Sequence, residues 1–174
     1  VTALLPNDSI KKIGSVGKTI PNVKIKIVNE NNTECAPYQI GEIIVSGPNL
    51  MKGYYKNNKA TAQTINGKWL HTGDLGHIDD EGYLYISGRI KSIIISGGIN
   101  IYPEEIEQII YQVDGVKDAI VYGVEDNRLG EVICADIVAE QSVSENIIRE
   151  HCRKLLASYK IPKYIKFVSQ IKKT

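Results

Sequence analysis

Apolar and polar positions alternate with a period of two in the first half of the chain and switch to a helical period in the second. Val23, Ile25 and Ile27 alternate with Asn22, Lys24 and Lys26, the pattern of a half-buried strand. The polar run NENNTECAP reads as a turn, and GEIIVSG (Gly41 to Gly47) as a second strand bounded by glycines. Residues 51–66 are polar and tyrosine-rich, with one short helix expected around Lys59 to Thr64. KWLHTGDLG predicts a short strand running into a Gly-Asp turn, and GHIDDEGYLYISGR a hairpin with Asp79, Asp80, Glu81 and Gly82 at its tip. Residues 1–90 therefore read as a small all-β, barrel-like unit.

From Ser92 the period changes. Ile93 to Ile95 form a short apolar strand, and two glycines follow. Pro103 then opens a helix over residues 103–113, with Ile106, Ile109, Ile110 and Val113 at i, i+3, i+4 and i+7. Glu104, Glu105 and Glu107 suit its positive end. DAIVYGV and EVICADIV are strands separated by the turn EDNRLG. Ser142 with Glu145 predicts a capping box before a second helix, striped by Ile147, Ile148, His151, Cys152, Leu155, Leu156 and Tyr159 and stopped by Pro162. YIKFVS supplies a last strand. The fold class expected is α+β: a β-barrel-like subdomain, then a compact α/β domain of βαββαβ type over residues 91–174, joined at Lys91.

Composition narrows this picture mainly by exclusion. At 174 residues and 43% hydrophobic content the chain is long enough for two small cores. A net charge of +1 gives no case for nucleic acid, and no apolar run reaches the roughly 20 residues of a membrane span. Cys35, Cys134 and Cys152 are odd in number, widely spaced and free of metal-ligand spacing, which argues for reduced thiols and a cytoplasmic location. VTALLPND does not read as a natural start, nor QIKKT as a closing element, so the chain reads as part of a longer one.

Several motifs invite chemistry and yield to plainer readings. Gly17-Lys18-Thr19 lacks the upstream glycine of a phosphate loop and runs into Ile20-Pro21 rather than a helix. Asp79, Asp80 and Glu81 lack the spacing of a calcium loop and read as a solvated hairpin tip. His151 and Cys152 fall in an apolar helical stripe, as core residues do, and His71 reads as local support. Asp74 and Arg89 stay open: an exposed carboxylate suits a vicinal diol, and a structural ion pair between the two fits the spacing equally well.

TGDLG at Thr72–Gly76, DDEGYLYISGR, and GRIKSIIISGGINIYPEEIE together resemble the acyl-adenylate-forming superfamily of acyl-CoA synthetases, luciferases and peptide-synthetase adenylation domains. GEIIVSGPNLMKGYYKN and YKIPKYIKFV support the resemblance, which covers nearly the whole chain. It implies ATP-dependent formation of an acyl-AMP followed by acyl transfer to a thiol, with ATP, magnesium and coenzyme A as cofactors and a carboxylic acid as partner. By motif, Asp74 resembles the carboxylate on the AMP ribose, and Arg89 a second ribose or phosphate contact. Lys91, with Ser92 where many relatives have Asp, corresponds to the hinge between the two half-reactions. Gly97, Gly98 and Asn100 correspond to the pantetheine tunnel.

The resemblance puts no catalytic residue and no metal ligand in this stretch. Lys173-Thr174 resembles the lead-in to the adenylation lysine, so the chain alone is expected to be inactive. Lys160, Lys163, Lys166, Lys172 and Lys173 form a basic tail that suits coenzyme A phosphates or a solvated face. A medium- or long-chain fatty acid is the first expectation for the acid, an aryl or succinylbenzoate acid the second, and a peptide-synthetase module ranks behind both. From another class, a non-catalytic binding module on the same fold is the alternative.

Overall fold

The structure, a computed structural model, describes residues 1–171, and the chain divides into two compact units, Val1–Lys91 and Ser92–Thr174. The first unit is a curled sheet of seven strands: β1 (Thr2–Ala3), β2 (Ser15–Thr19), β3 (Lys24–Val28), β4 (Gly41–Ser46), β5 (Ile65–Asn66), β6 (Trp69–Ile78) and β7 (Leu84–Arg89). They run in the order β1-β2-β7-β6-β4-β3, with β5 beside β6. Alternation places Val23, Ile27, Ile43, Val45 and Leu84 on one face as its core. The helix α1 (Asn58–Thr64) begins where the Asn57 side chain accepts the Ala60 N–H at 3.0 Å. Gly17 lies in β2, where a Cβ would run into the Ala3 carbonyl. That glycine lets β1 approach, and a strand follows where a phosphate loop would need a helix.

The second unit lays two helices on one sheet. Its elements are β8 (Ile94–Ser96), β9 (Ile99–Ile101), α2 (Pro103–Ile110), β10 (Val116–Asp126), β11 (Gly130–Ala139), α3 (Glu145–Leu155) and β12 (Tyr164–Phe167). The order is β10-β11-β8-β9, with β12 parallel to β11. Ile94, Ile101, Ile106, Ile110, Ile137, Ile148 and Cys152 are fully buried there. Each of the larger side chains contributes about 1.5–3 kcal/mol of burial.

Three local expectations change. Ile99–Ile101 form a strand, because Ile101 is needed in the core opposite Ile94; the apolar triplet before the glycines therefore has a hairpin partner after them. The helix expected over 103–113 ends at Ile110, where i→i+3 bonds from Gln112 and Val113 tighten the chain ahead of Gly115 at φ +89°. The cap of α3 is Ser144, not Ser142: its side chain accepts the Ile147 N–H at 3.4 Å. The helix ends at Leu155, short of Pro162, with Tyr159 in a separate 3-10 turn, and its buried stripe is narrower than its apolar count, since Ile147 and Leu155 are exposed.

Candidate functional site

Asp74 does not lie in a turn beyond a strand. It sits within β6, in a bulge: Glu42 pairs with Leu75 and Ile44 with His71, so Thr72, Gly73 and Asp74 together oppose Ile43. Gly73, at φ +72°, supplies the left-handed residue that the bulge requires. The extra residues are pinned by side chains. Thr72 Oγ1 donates to the Ile43 carbonyl at 2.7 Å and accepts the Asp74 N–H at 3.0 Å. Glu42 accepts the Gly73 N–H at 3.1 Å, and its other oxygen meets His71 Nδ1 at 2.8 Å. His71 thus supports the bulge locally, as its position suggests.

The β6–β7 register sets Asp74 directly across from Arg89, whose Nε lies 3.0 Å from Asp74 Oδ1. The Asp74 side chain is 33% exposed and that of Arg89 73%. A pair this open to water contributes little to stability, about 0–1 kcal/mol. It leaves an acceptor and a cation side by side at the surface of the first unit. A ribose diol needs the first, and a phosphate or hydroxyl oxygen suits the second.

Lys91 and Ser92 are exposed in a short 3-10 helix, Ile90–Ser92, and the boundary between the two units falls between them. Gly97 and Gly98 form the two-residue turn joining β8 to β9, at φ +59° and +79°. Positive φ at both central positions is the pattern of a type I′ hairpin. A Cβ on Gly98 would meet nothing within 4 Å, so conformation rather than crowding selects glycine there. Asn100 is exposed on β9, opposite Ile95. The hairpin presents bare backbone, the surface a thin chain can lie against.

The remaining candidates are occupied by structural partners. Lys12 meets Asp79 at 2.8 Å and also pairs with Glu81, while Asp79 accepts the N–H groups of Glu81 and Tyr83. Burial pushes the Asp79 carboxyl up, but Lys12 and those amides outweigh it and hold it below the usual range. Lys160 meets both oxygens of Glu105, and Lys163 meets Asp126 at 2.9 Å, so this part of the basic tail is ion-paired; Lys172, Lys173 and Thr174 lie outside the described residues. Burial raises the Cys134 and Cys152 thiols, the opposite of the shift a reactive thiolate needs. Glu107 accepts the Val121 N–H at 2.8 Å, capping the edge strand β10, and burial pushes its carboxyl up. Among the described residues no helix is long and apolar enough to cross a membrane.

Two groups escaped the sequence reading: Glu42, which pins the bulge, and Glu131, whose carboxylate accepts the Ile95 N–H at 2.7 Å. Each is a lone acid just after a glycine at the start of an apolar strand, and that placement was the available signal.

Residues 1–55 match the family described as AMP-binding enzyme, and residues 105–174 match the AMP-binding enzyme C-terminal domain. The chain belongs to the AMP-binding enzyme family. A 2-succinylbenzoate–CoA ligase of Oceanobacillus iheyensis is 46% identical over 172 residues, 98% of this chain and 35% of the relative. This AMP-binding chain also superposes on the o-succinylbenzoate CoA synthetase of Bacillus subtilis in complex with the acyl-adenylate intermediate, with a TM-score of 0.94 and 40% identity. That match covers 99% of this chain and 35% of the other. The same enzyme in complex with ATP and magnesium gives a TM-score of 0.92 at 40% identity, over 99% of this chain and 36% of the other. The chain thus spans about a third of the length of the relatives it matches.

The relatives named are succinylbenzoate ligases, and the fatty acid that was the first expectation finds no support among them. The resemblance assigns the motifs that carry it to the nucleotide and the thiol rather than to the acid, which is why they left the acid open.

Proposed function

We propose that this chain supplies the ribose-binding and thiol-side parts of an ATP-dependent, AMP-forming 2-succinylbenzoate–CoA ligase. The observation that carries the reading is the register pairing of Asp74 with Arg89 in a pinned bulge, in a chain 46% identical to such a ligase. Residues 1–90 belong to the nucleotide-binding body and residues 91–174 to the smaller domain that moves at Lys91 and Ser92.

The reaction has two steps. A carboxylate oxygen of the acid attacks the α-phosphorus of ATP and the bond to pyrophosphate breaks, giving an acyl-AMP. The thiol of coenzyme A then attacks the acyl carbon, and AMP leaves. Asp74 accepts hydrogen bonds from the ribose hydroxyls in both steps. Arg89 donates to a ribose or phosphate oxygen. Gly97, Gly98 and Asn100 line the path of the pantetheine arm, where a side chain would obstruct it.

Magnesium accompanies ATP as substrate. In the described acidic cluster Asp79 and Glu81 are tied to Lys12 and Asp80 accepts from the Tyr38 hydroxyl, which does not suit the ion, so no metal step is assigned to these residues.

The test is the full-length protein assayed with ATP, magnesium and coenzyme A against 2-succinylbenzoate and a panel of fatty acids. Coenzyme A-dependent AMP release with 2-succinylbenzoate is expected; preference for a fatty acid overturns the substrate assignment. The 174-residue chain alone is expected to release no pyrophosphate, and full-rate release by it overturns the division of labour.

A further inference from the structure

The glycine hairpin is held from one side by three consecutive residues, Ile95 and Ser96 of β8 and the turn residue Gly97. The Gly97 N–H donates to the Leu129 carbonyl at 2.8 Å, the Ser96 hydroxyl donates to the Glu131 carbonyl at 2.6 Å, and the Ile95 N–H donates to Glu131 Oε2 at 2.7 Å. The β8–β11 ladder itself is one pair long, Gly130 with Ser96. Where the ladder stops, the Glu131 side chain replaces it and takes the amide that the next rung would have taken. Backbone N–H groups at such a place need an acceptor, and a charged one is about twice as strong as a neutral one.

Room for that carboxylate is made on the neighbouring strand. Gly123 in β10 is paired with Ile133, and a Cβ built on it would lie 2.6 Å from Glu131 Oε1 and 2.9 Å from Cδ. Its φ lies outside the left-handed region, so any residue fits its backbone there. The carboxylate fills the space a side chain at this position would take.

We infer that Glu131, with the space left by Gly123, is a positioning residue for the Gly97–Gly98 hairpin and so for the thiol-transfer step. The inference rests on the proposed role of that hairpin. Gly97 and Gly98 are exposed and carry no side chain that packs, so the placement of their backbone depends on the residues behind them. Loss of the Glu131 anchor frees the β8 edge next to the turn and shifts the surface offered to the pantetheine arm. Residues of the Asp74 bulge take no part in these contacts, so adenylation is spared.

The experiment uses the full-length protein and separates the half-reactions: acid-dependent pyrophosphate release without coenzyme A, and single-turnover thioester formation from preformed acyl-AMP. Glu131→Ala is expected to slow thioester formation by about ten- to a hundredfold, the cost of a small misplacement, with adenylation within about twofold. Glu131→Gln keeps an acceptor for Ile95 and restores most of the rate. Gly123→Ala, which displaces the carboxylate, reproduces Glu131→Ala, and the double variant loses no more than either single one. Gly98→Ala, which burdens the turn itself, reports on the underlying reading.

If Gly98→Ala slows thioester formation and Glu131→Ala does not, the positioning role is overturned and the hairpin reading survives. If neither has an effect, the hairpin reading fails and takes the inference with it. Equal losses in both half-reactions, unrescued by Glu131→Gln, show a purely structural role and also overturn the inference.

Discussion

The Gly73 bulge and the Gly97–Gly98 hairpin meet the same backbone problem and present opposite surfaces. Each departs from a regular ladder at a positive-φ glycine, and each has a glutamate on an adjoining strand to take the amide left over: Glu42 for Gly73, Glu131 for Ile95. Around the bulge the other ties are polar as well, through Thr72 and His71. The hairpin instead stands on two core residues, Ile94 at 1% and Ile101 at 0% exposure. The difference follows from what is displayed. On the proposed reading the Asp74 carboxylate has to meet two hydroxyls and so be fixed in angle, which directional hydrogen bonds do. On the same reading a bare backbone has only to be in the right place, and an apolar seat with a few ties along one edge does that.

The largest expected effect tests the seat. Ile101→Ala removes a fully buried side chain from beneath the hairpin and should cost about 2–5 kcal/mol of stability. Urea unfolding followed by hydrogen exchange at the β8 and β9 amides measures it. A loss under about 1 kcal/mol would mean that the polar anchors alone hold the hairpin, and the contrast with the bulge would disappear.

Next comes the displayed carboxylate. Asp74→Ala should weaken ATP use by the full-length protein by about 1.5–3 kcal/mol for each charged hydrogen bond lost, seen as a raised KM for ATP. Stability should change by less than about 1 kcal/mol, because the Asp74–Arg89 pair is open to water. Unchanged ATP kinetics with lowered stability would reverse the assignment and make the pair structural.

How much of this was legible follows from how local each signal is. The change of period near Lys91 and the two amphipathic helices are written in neighbouring residues and appear in the structure with shifted ends, whereas the strand between the two glycines and the helix after them was not foreseen. The pairing of Asp74 with Arg89 was foreseeable because one hairpin joins them. The bulge was not, since it depends on Ile43 lying opposite three residues of another strand. Glu42 and Glu131 were missed for the same reason: their partners are 31 and 36 residues away, and no periodicity encodes such a bond. Glu107 was assigned to the helix dipole, whereas its carboxylate caps the edge strand at Val121. The acid was illegible because, on the proposed reading, the motifs present serve the parts that all these reactions share.

A smaller effect tests whether the polar ties of the bulge are cumulative. Thr72→Val keeps the shape and removes both the bond to Ile43 and the acceptor for Asp74, each about 0.5–1.5 kcal/mol. Urea unfolding should register the sum, with Thr72→Ser restoring most of it. The KM for ATP should rise with it, since the amide bond fixes where Asp74 points. A stability loss with unchanged KM would show that Glu42 and Arg89 suffice to aim the carboxylate.

The smallest effect lies one step behind the hairpin. The Leu129 carbonyl that receives Gly97 belongs to the β10–β11 turn, and Asp126 shapes that turn by accepting the N–H groups of Arg128 and Leu129. The Lys163 hydrogen bond, then those two amides, hold the Asp126 carboxyl at about 2. A depressed acid stabilises the fold above its unfolded value, and that contribution is lost as pH falls through the folded one, here near 2. Lys163→Met removes the first cause and keeps the other two. Followed by NMR titration of its carboxyl carbon, Asp126 should therefore move only part of the way back toward an ordinary aspartate, and the acid-loss window should move up with it. A complete return would show that the amides contribute nothing and that this turn, like the exposed Asp74–Arg89 pair, is held by charge alone.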